Sequence, residues 1–328
     1  MGEKSHSGGD RRVLVLGTGG TIAGRAASSG DNIGYVAGQV RVSELLAGVE
    51  APPGVTLATE QVAQVDSKDM EFSIWCDLAL RCAQALADPA VAGIVITHGT
   101  DTIEETAYFL HCVLPSDKPV ALTCAMRPAT ALSPDGPQNV RDAVVVAASP
   151  GARGVSVVCA GTVHAAADVQ KVHTYRLDPF RSGDAGPVAF VEEGQLRMAK
   201  GWPAAEPAMD VLRELAAGRE APRVEIVHSH AGARGTLIDT LLAERARAMP
   251  GAIQGLVLAA TGNGALHHEI EGAAARAQAA GVVVWRATRC PEGRILPKAG
   301  DAIPDAGALN PVKARIALML ELLRDHGS

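Results

Sequence analysis

Aromatic residues are scarce in this chain: three Trp, three Tyr and four Phe among 328 residues, or 3%. Its cores must therefore be built from Val, Leu, Ile and Ala, which suits parallel strands buried on both faces. The six cysteines (Cys76, Cys82, Cys112, Cys124, Cys159 and Cys290) include no C-x-x-C pair, and no histidine cluster stands at zinc spacing. That pattern excludes the common zinc modules, so no metal ligand is assigned. Most of these cysteines lie in apolar stretches and read as small buried hydrophobes, from which a reduced, cytoplasmic protein is expected. Positive charge is not in excess, with 30 Lys and Arg against 36 Asp and Glu and a net charge of −6, which argues against a nucleic-acid partner. No stretch approaches the run of about 20 apolar residues that a membrane-spanning helix needs. The first twelve residues are polar and rich in Gly and Ser, lack the apolar core of a signal peptide, and read as a disordered tail. No repeat at solenoid periods is present.

What is present is alternation. Apolar, strand-like runs at 13–16, 56–65, 93–97, 119–123 and 155–159 are separated by helical patterns at 73–87, 103–113 and 140–148. A hairpin is predicted over 188–198 around Glu193-Gly194. A mixed Ala/Pro/Glu stretch at 201–222 reads as a linker with a helical piece at 209–217. A second series follows, with strands at 224–228, 255–259 and 282–286 and helices at 236–246, 269–279 and 310–323. The fold expected is α/β: a larger N-terminal catalytic domain on a mostly parallel sheet (13–200), the linker, and a smaller C-terminal α/β domain (223–328).

Two turns carry the chemistry. The first is Gly17-Thr18-Gly19-Gly20-Thr21-Ile22-Ala23-Gly24, and the second is Thr97-His98-Gly99-Thr100-Asp101-Thr102. Each ends an apolar strand, which places it at the carboxyl edge of a parallel sheet, where α/β proteins bind ligands. A dinucleotide fingerprint would need glycine at Ile22, and no Gly-Lys-Ser/Thr follows, so neither nucleotide loop fits. The chemistry on offer is a hydroxyl nucleophile. Taken alone, Thr21 is either that nucleophile or a turn residue capping a helix, while Thr18 is better explained as structural. Tyr35, in the Gly/Ser-rich segment 24–38, belongs either to a lid or to an ordinary surface loop. Thr102-x-x-Glu105 has the form of a capping box that would pin the helix behind Thr100 and Asp101. Ser67, after Asp66, reads equally as a helix cap and as a ligand contact. His98 and the pair His267-His268 read as structural or exposed. Lys171 by itself is an ordinary solvated lysine; it could act as a base only with a pKa well below about 10.4, and a neighbouring carboxylate favours its charged form.

These turns, together with Ala125-Met126-Arg127-Pro128, Asp135-Gly136-Pro137, and the spacing of Asp66-Ser67, Lys171 and Leu309-Asn310-Pro311, resemble the bacterial L-asparaginase/glutaminase-asparaginase family. The resemblance runs from about Val13 to the last helix. It implies hydrolysis of L-asparagine to L-aspartate and ammonia through an acyl-enzyme, with no metal or cofactor. Thr21 would be the nucleophile and Tyr35 the lid residue bonded to it. Thr100, Asp101 and Lys171 would form a second triad, and Ser67, Thr100 and Asp101 would touch the substrate. It further implies a homotetramer built of intimate dimers, with no membrane partner. L-Glutamine or another small amide is the alternative substrate. A catalytically weak amide-binding or sensing protein is the alternative of another class, and its hallmark would be loss of Thr21, Thr100 or Lys171. The chain departs from the family pattern at Lys68, where many relatives carry Gln or Glu, and at Ala265, where several carry Asn. Segment 291–308 is short and offers only Asp301 or Asp305 in place of a family glutamate.

Overall fold

The computed structural model describes residues 11–115, 117–203 and 208–325, which divide into two compact units between Ala208 and Met209. The expected tail lies outside the described residues up to position 10. Arg11 and Arg12 are not tail: they open the first strand, lying opposite Val55 and Thr56 of its parallel neighbour, and Arg12 pairs with Asp88 at 2.7 Å.

The first unit is built on strands β1 (Arg11–Gly19), β2 (Val55–Val65), β3 (Val91–Thr97), β4 (Pro119–Thr123) and β5 (Gly154–Cys159), all parallel, in the order β2-β1-β3-β4-β5. Beyond β5 the sheet turns antiparallel through β6 (Thr162–Ala165). The chain then leaves to form a separate two-stranded piece, β7 (Gln170–Lys171) with β8 (Phe180–Arg181), and returns as β9 (Ala189–Glu192) and β10 (Gln195–Met198). The last two are the expected hairpin. Glu193 (φ 48°) and Gly194 (φ 74°) both take the left-handed conformation that a tight two-residue hairpin turn demands.

Helices α1 (Val42–Leu45), α2 (Phe72–Ala87), α3 (Ile103–Val113) and α4 (Gly136–Ala148) cover the sheet. One face of α4, with Val140, Ala143, Val144 and Ala147, packs on Val13, Val15, Val95, Ala121 and Val158. The alternating residues Leu14, Leu16, Ile94 and Ile96 face the other way and are equally buried. Three of the scarce aromatics meet where α2 packs on α3: Trp75 stacks on Phe109 at 5.0 Å and Phe72 meets its edge. Helix α4 starts at Gly136, four residues earlier than expected, because Pro137 suits a first turn, where its missing N–H has no intrahelical role.

The capping box is not formed. Thr102 stands at the N-cap of α3, but its hydroxyl donates to the Ser67 carbonyl at 2.6 Å and makes no cap bond. A long-range partner has replaced the local one, so the turn is tied across the sheet edge.

The second unit runs α5 (Met209–Ala216), β11 (Val224–His228), α6 (Thr236–Ala246), β12 (Gly255–Ala260), α7 (His268–Ala279), β13 (Val283–Thr288) and α8 (Pro311–Asp325). Its three strands are parallel in the order β11-β12-β13. Helix α5 is the helical piece expected within the stretch read as a linker. The alanines Ala273, Ala274 and Ala277 of α7 let it lie close to α6, with Ile238, Leu241, Leu256 and Leu258 filling the core between.

Candidate active site

Strands β1 and β3 are parallel neighbours, with Leu16 opposite Ile96 and Gly17 opposite Thr97, so their carboxyl ends deliver the two turns side by side. Thr18 bridges them, its hydroxyl donating to the Thr97 carbonyl at 2.9 Å, in keeping with a structural role. The turns then touch backbone to backbone. A Cβ on Gly20, whose φ is 79°, would lie 2.3 Å from both Cα and N of Gly99, and one on Gly99 would lie 2.4 Å from Ser67 Oγ. Only glycine allows this approach.

Thr21 opens a single 3-10 turn (Thr21–Ala23) whose N-cap position belongs to Gly20, so its hydroxyl is not spent as a cap. Thr21 is buried, at 7% exposure, and its Oγ1 lies 2.7 Å from the Tyr35 hydroxyl. Tyr35 arrives on a loop joined to itself at Arg25 and Val36 through two backbone hydrogen bonds. Its ring lies against Gly24, where a Cβ would sit 2.7 Å from Cδ2. Asp31 shapes the loop tip by accepting from the N–H groups of Ile33 and Gly34, which hold its carboxyl below the usual range.

The second turn is wired to charge. Lys171, on the two-residue strand β7, donates to Thr100 Oγ1 at 2.8 Å and to Asp101 Oδ1 at 2.5 Å. Thr100 is 5% exposed, and its backbone N–H has no acceptor among the described residues. A backbone N–H with no protein acceptor at the carboxyl edge of a sheet is available to a ligand oxygen. Ser67 accepts from the Asp101 N–H through its hydroxyl at 3.2 Å and from Thr102 through its carbonyl. Ser67 itself opens a short 3-10 turn (Ser67–Asp69) whose N-cap is Asp66, not Ser67. Lys68 pairs with the adjacent Asp69.

Behind Thr100, His98 is fully buried and uses both ring nitrogens: Nδ1 lies 2.7 Å from the Gly99 oxygen and Nε2 2.9 Å from Thr106 Oγ1. Burial pushes its pKa down to about 4. In the second unit His267 caps α7 and stacks on His268 at 4.3 Å.

The expected site residues of the first unit thus form two groups, Thr21 with Tyr35 and Thr100 with Asp101, Lys171 and Ser67, joined where Gly20 meets Gly99. Two braces were missed. Asp135 accepts from the N–H groups of Met126 and Arg127 at 2.9 and 3.0 Å, and Asn139 joins the ends of β4 and β5 through the Cys124 carbonyl and the Ala160 N–H. A buried amide amid the Val and Ala of α4 was the available signal for Asn139. Beside it, a hydrogen bond to Cys159, together with burial, holds the Cys124 thiol well above its usual pKa. All six cysteines are free; Cys82, Cys124 and Cys159 are buried, whereas Cys290 is exposed. Among the described residues no group of three or more His, Cys, Asp or Glu could hold a metal ion, and no helix is long and apolar enough to cross a membrane.

Residues 12–203 match the family model described as asparaginase, N-terminal, and residues 223–327 match that of the glutaminase/asparaginase C-terminal domain. The chain is 36% identical over 324 residues to L-asparaginase 2 of Bacillus subtilis (strain 168), covering 96% of this chain and 83% of that protein. It is equally similar, 36% over 325 residues, to the glutaminase-asparaginase of Pseudomonas fluorescens biotype A, covering 96% and 87%. The crystal structure of a probable cytoplasmic L-asparaginase from Campylobacter jejuni superposes with a TM-score of 0.86 at 32% identity, covering 96% of this chain and 98% of that one.

Proposed function

The chain belongs to the asparaginase family of amidohydrolases, and from that premise we propose that it hydrolyses L-asparagine to L-aspartate and ammonia. One observation carries the reading: Lys171 holds Thr100 and Asp101 together on a turn in backbone contact with the one that bears Thr21 and Tyr35. A threonine hydroxyl is a weak nucleophile; the neighbouring Tyr35 hydroxyl would accept its proton while passing its own toward the substrate's amide nitrogen as Thr21 Oγ1 attacks the side-chain carbonyl. The C–N bond then breaks, the proton passes to the departing ammonia, and the acyl group stays on Thr21. Thr100, polarised by Lys171, positions the water that adds to the ester and releases L-aspartate. The free N–H of Thr100 serves the oxyanion in both steps. Asp101 Oδ1 is bonded to Lys171, and Oδ2 is left to meet the substrate's ammonium, with Ser67 near its carboxylate.

L-Glutamine is the second substrate to consider, because the similarity to the Pseudomonas glutaminase-asparaginase equals that to the Bacillus enzyme. A cytoplasmic setting and assembly as a homotetramer of intimate dimers complete the proposal; the former draws on the reduced cysteines, the latter on the family. The test is ammonia release from L-asparagine by the wild type, Thr21→Ala and Thr100→Val, with L-glutamine in parallel and sedimentation for the assembly. Strong wild-type activity lost in both variants is expected. A folded wild type inactive on both amides would sink the reading.

A further inference from the structure

His98 precedes the Gly99–Thr100 peptide, and its hydrogen bonds can be assigned in only one direction. The Gly99 carbonyl oxygen only accepts, so the ring nitrogen facing it at 2.7 Å, Nδ1, carries a proton. Burial keeps the imidazole neutral near pH 7, which leaves Nε2 without a proton and in need of a donor. That donor is Thr106 Oγ1, 2.9 Å away. The Thr106 oxygen in turn receives the Trp75 indole N–H at 2.8 Å, and an indole nitrogen only donates. The outcome is a single directed chain, from Trp75 to Thr106 to His98 to the Gly99 carbonyl.

A trans peptide points its N–H opposite to its C=O. Drawing the Gly99 oxygen toward the buried ring therefore turns the Thr100 N–H away from the core, and this is the N–H without an acceptor among the described residues. Aligned hydrogen bonds polarise one another, so a donor on the carbonyl side of a peptide strengthens the N–H on its other side. Glycine at 99 permits the placement, because the backbone there is pressed between Gly20 and Ser67.

We propose that His98 is a positioning residue for amide hydrolysis: the chain from Trp75 through Thr106 locks the Gly99–Thr100 peptide with its N–H aimed at the oxygen of the scissile amide. This deepens the proposed function and rests on it. His98 touches no reacting atom. Its contribution is the orientation and donor strength of one peptide, which matter most when charge develops on the substrate oxygen.

The test separates the two ring nitrogens. His98→Asn keeps a donor near the place of Nδ1, His98→Gln puts its amide near Nε2 instead, and His98→Leu keeps neither. With L-asparagine, kcat is expected to fall about 10- to 100-fold in the Gln and Leu variants while KM moves less than about 3-fold, and Asn is expected to restore kcat to within about 5-fold of wild type. Thr106→Val removes the donor to Nε2, and a fall in kcat of about 10-fold is expected. Equal losses in the Asn and Leu variants that follow their thermal stability would overturn the inference, as would unchanged kcat in all of them. Nitrogen chemical shifts of the wild-type imidazole give an answer independent of activity: the Nδ1–H tautomer is expected, and the Nε2–H tautomer overturns the chain. A wild type that keeps the Nδ1–H tautomer but hydrolyses neither amide would remove the proposed function and leave the peptide lock standing.

Discussion

The two threonine turns are made differently. Thr21 has an uncharged partner, Tyr35, on a loop whose residues 25–37 are exposed or half-buried and whose internal bonds are few. Thr100 has charged partners, Lys171 and Asp101, and a fully buried histidine behind it. In the proposed reaction, a nucleophile that must lose a proton and accept an acyl group would be served by a neutral partner, and a group that orients water would be served by charged partners. An exposed loop borders one hydroxyl and buried or charged partners border the other, and the backbone contact between Gly20 and Gly99 joins the two turns.

The sharpest way to break this comparison is to delete each hydroxyl. Thr21→Ala is expected to lower kcat by about 10⁴-fold or more and to abolish any burst of ammonia. Thr100→Val is expected to lose about 10³-fold in turnover while still releasing close to one equivalent of ammonia in a burst, read by rapid quench. Identical burst loss in both would mean that the division of labour is wrong.

Breaking the contact between the turns comes next. Gly20→Ala forces a Cβ into the Gly99 backbone at a left-handed φ and is expected to cost about 3 kcal/mol or more, with activity lost. Gly30→Ala, at a position with nothing within 4 Å, should leave the urea midpoint nearly unchanged.

The buried side should also report pH. His98 is depressed to about 4 when folded, below its ordinary 6.5, so the unfolded chain takes up the proton first. Its effect is absent above about pH 6.5, grows as pH falls, and levels off below about 4 at a loss of about 3 kcal/mol. Urea unfolding at pH 7, 5 and 4 should show this slope in the wild type and a shallower one in His98→Asn. Equal slopes would mean that His98 does not carry it.

At the exposed loop, Tyr35→Phe is expected to lower kcat about 10- to 100-fold with little change in stability. The smallest effect expected is for Thr102→Val, which removes the bond to the Ser67 carbonyl: about 1 kcal/mol of stability and a few-fold rise in KM.

The long elements were legible because their apolar residues recur with a clean period and end at recognisable punctuation; α3 and α6 fall where periodicity predicts them. What escaped is short or held by distant partners. Strands β6, β7 and β8 are two to four residues long, too few for a period to show. Lys171 meets Thr100 across 71 positions of chain, a pairing that no local pattern encodes; the family resemblance suggested it. Thr102 shows the opposite failure. Its local signal was strong, yet a buried carbonyl on Ser67 outbid the N-terminus of its own helix. The cap readings of Ser67 and Thr21 fell away only with geometry, since in both cases the neighbouring residue holds the cap position.

Adjacency of β1 and β3 has an evolutionary consequence. Hydrogen-bonded strands stand about 4.8 Å apart whatever their side chains, so the separation of the two threonine-bearing turns is inherited from the backbone itself. It behaves as a lattice constant, which point mutation cannot adjust in small steps. Selection on substrate preference is thereby steered toward the periphery, to residues such as Lys68 and the loop that carries Tyr35. A lineage can change what the site accepts far more readily than it can change how far apart its two hydroxyls stand.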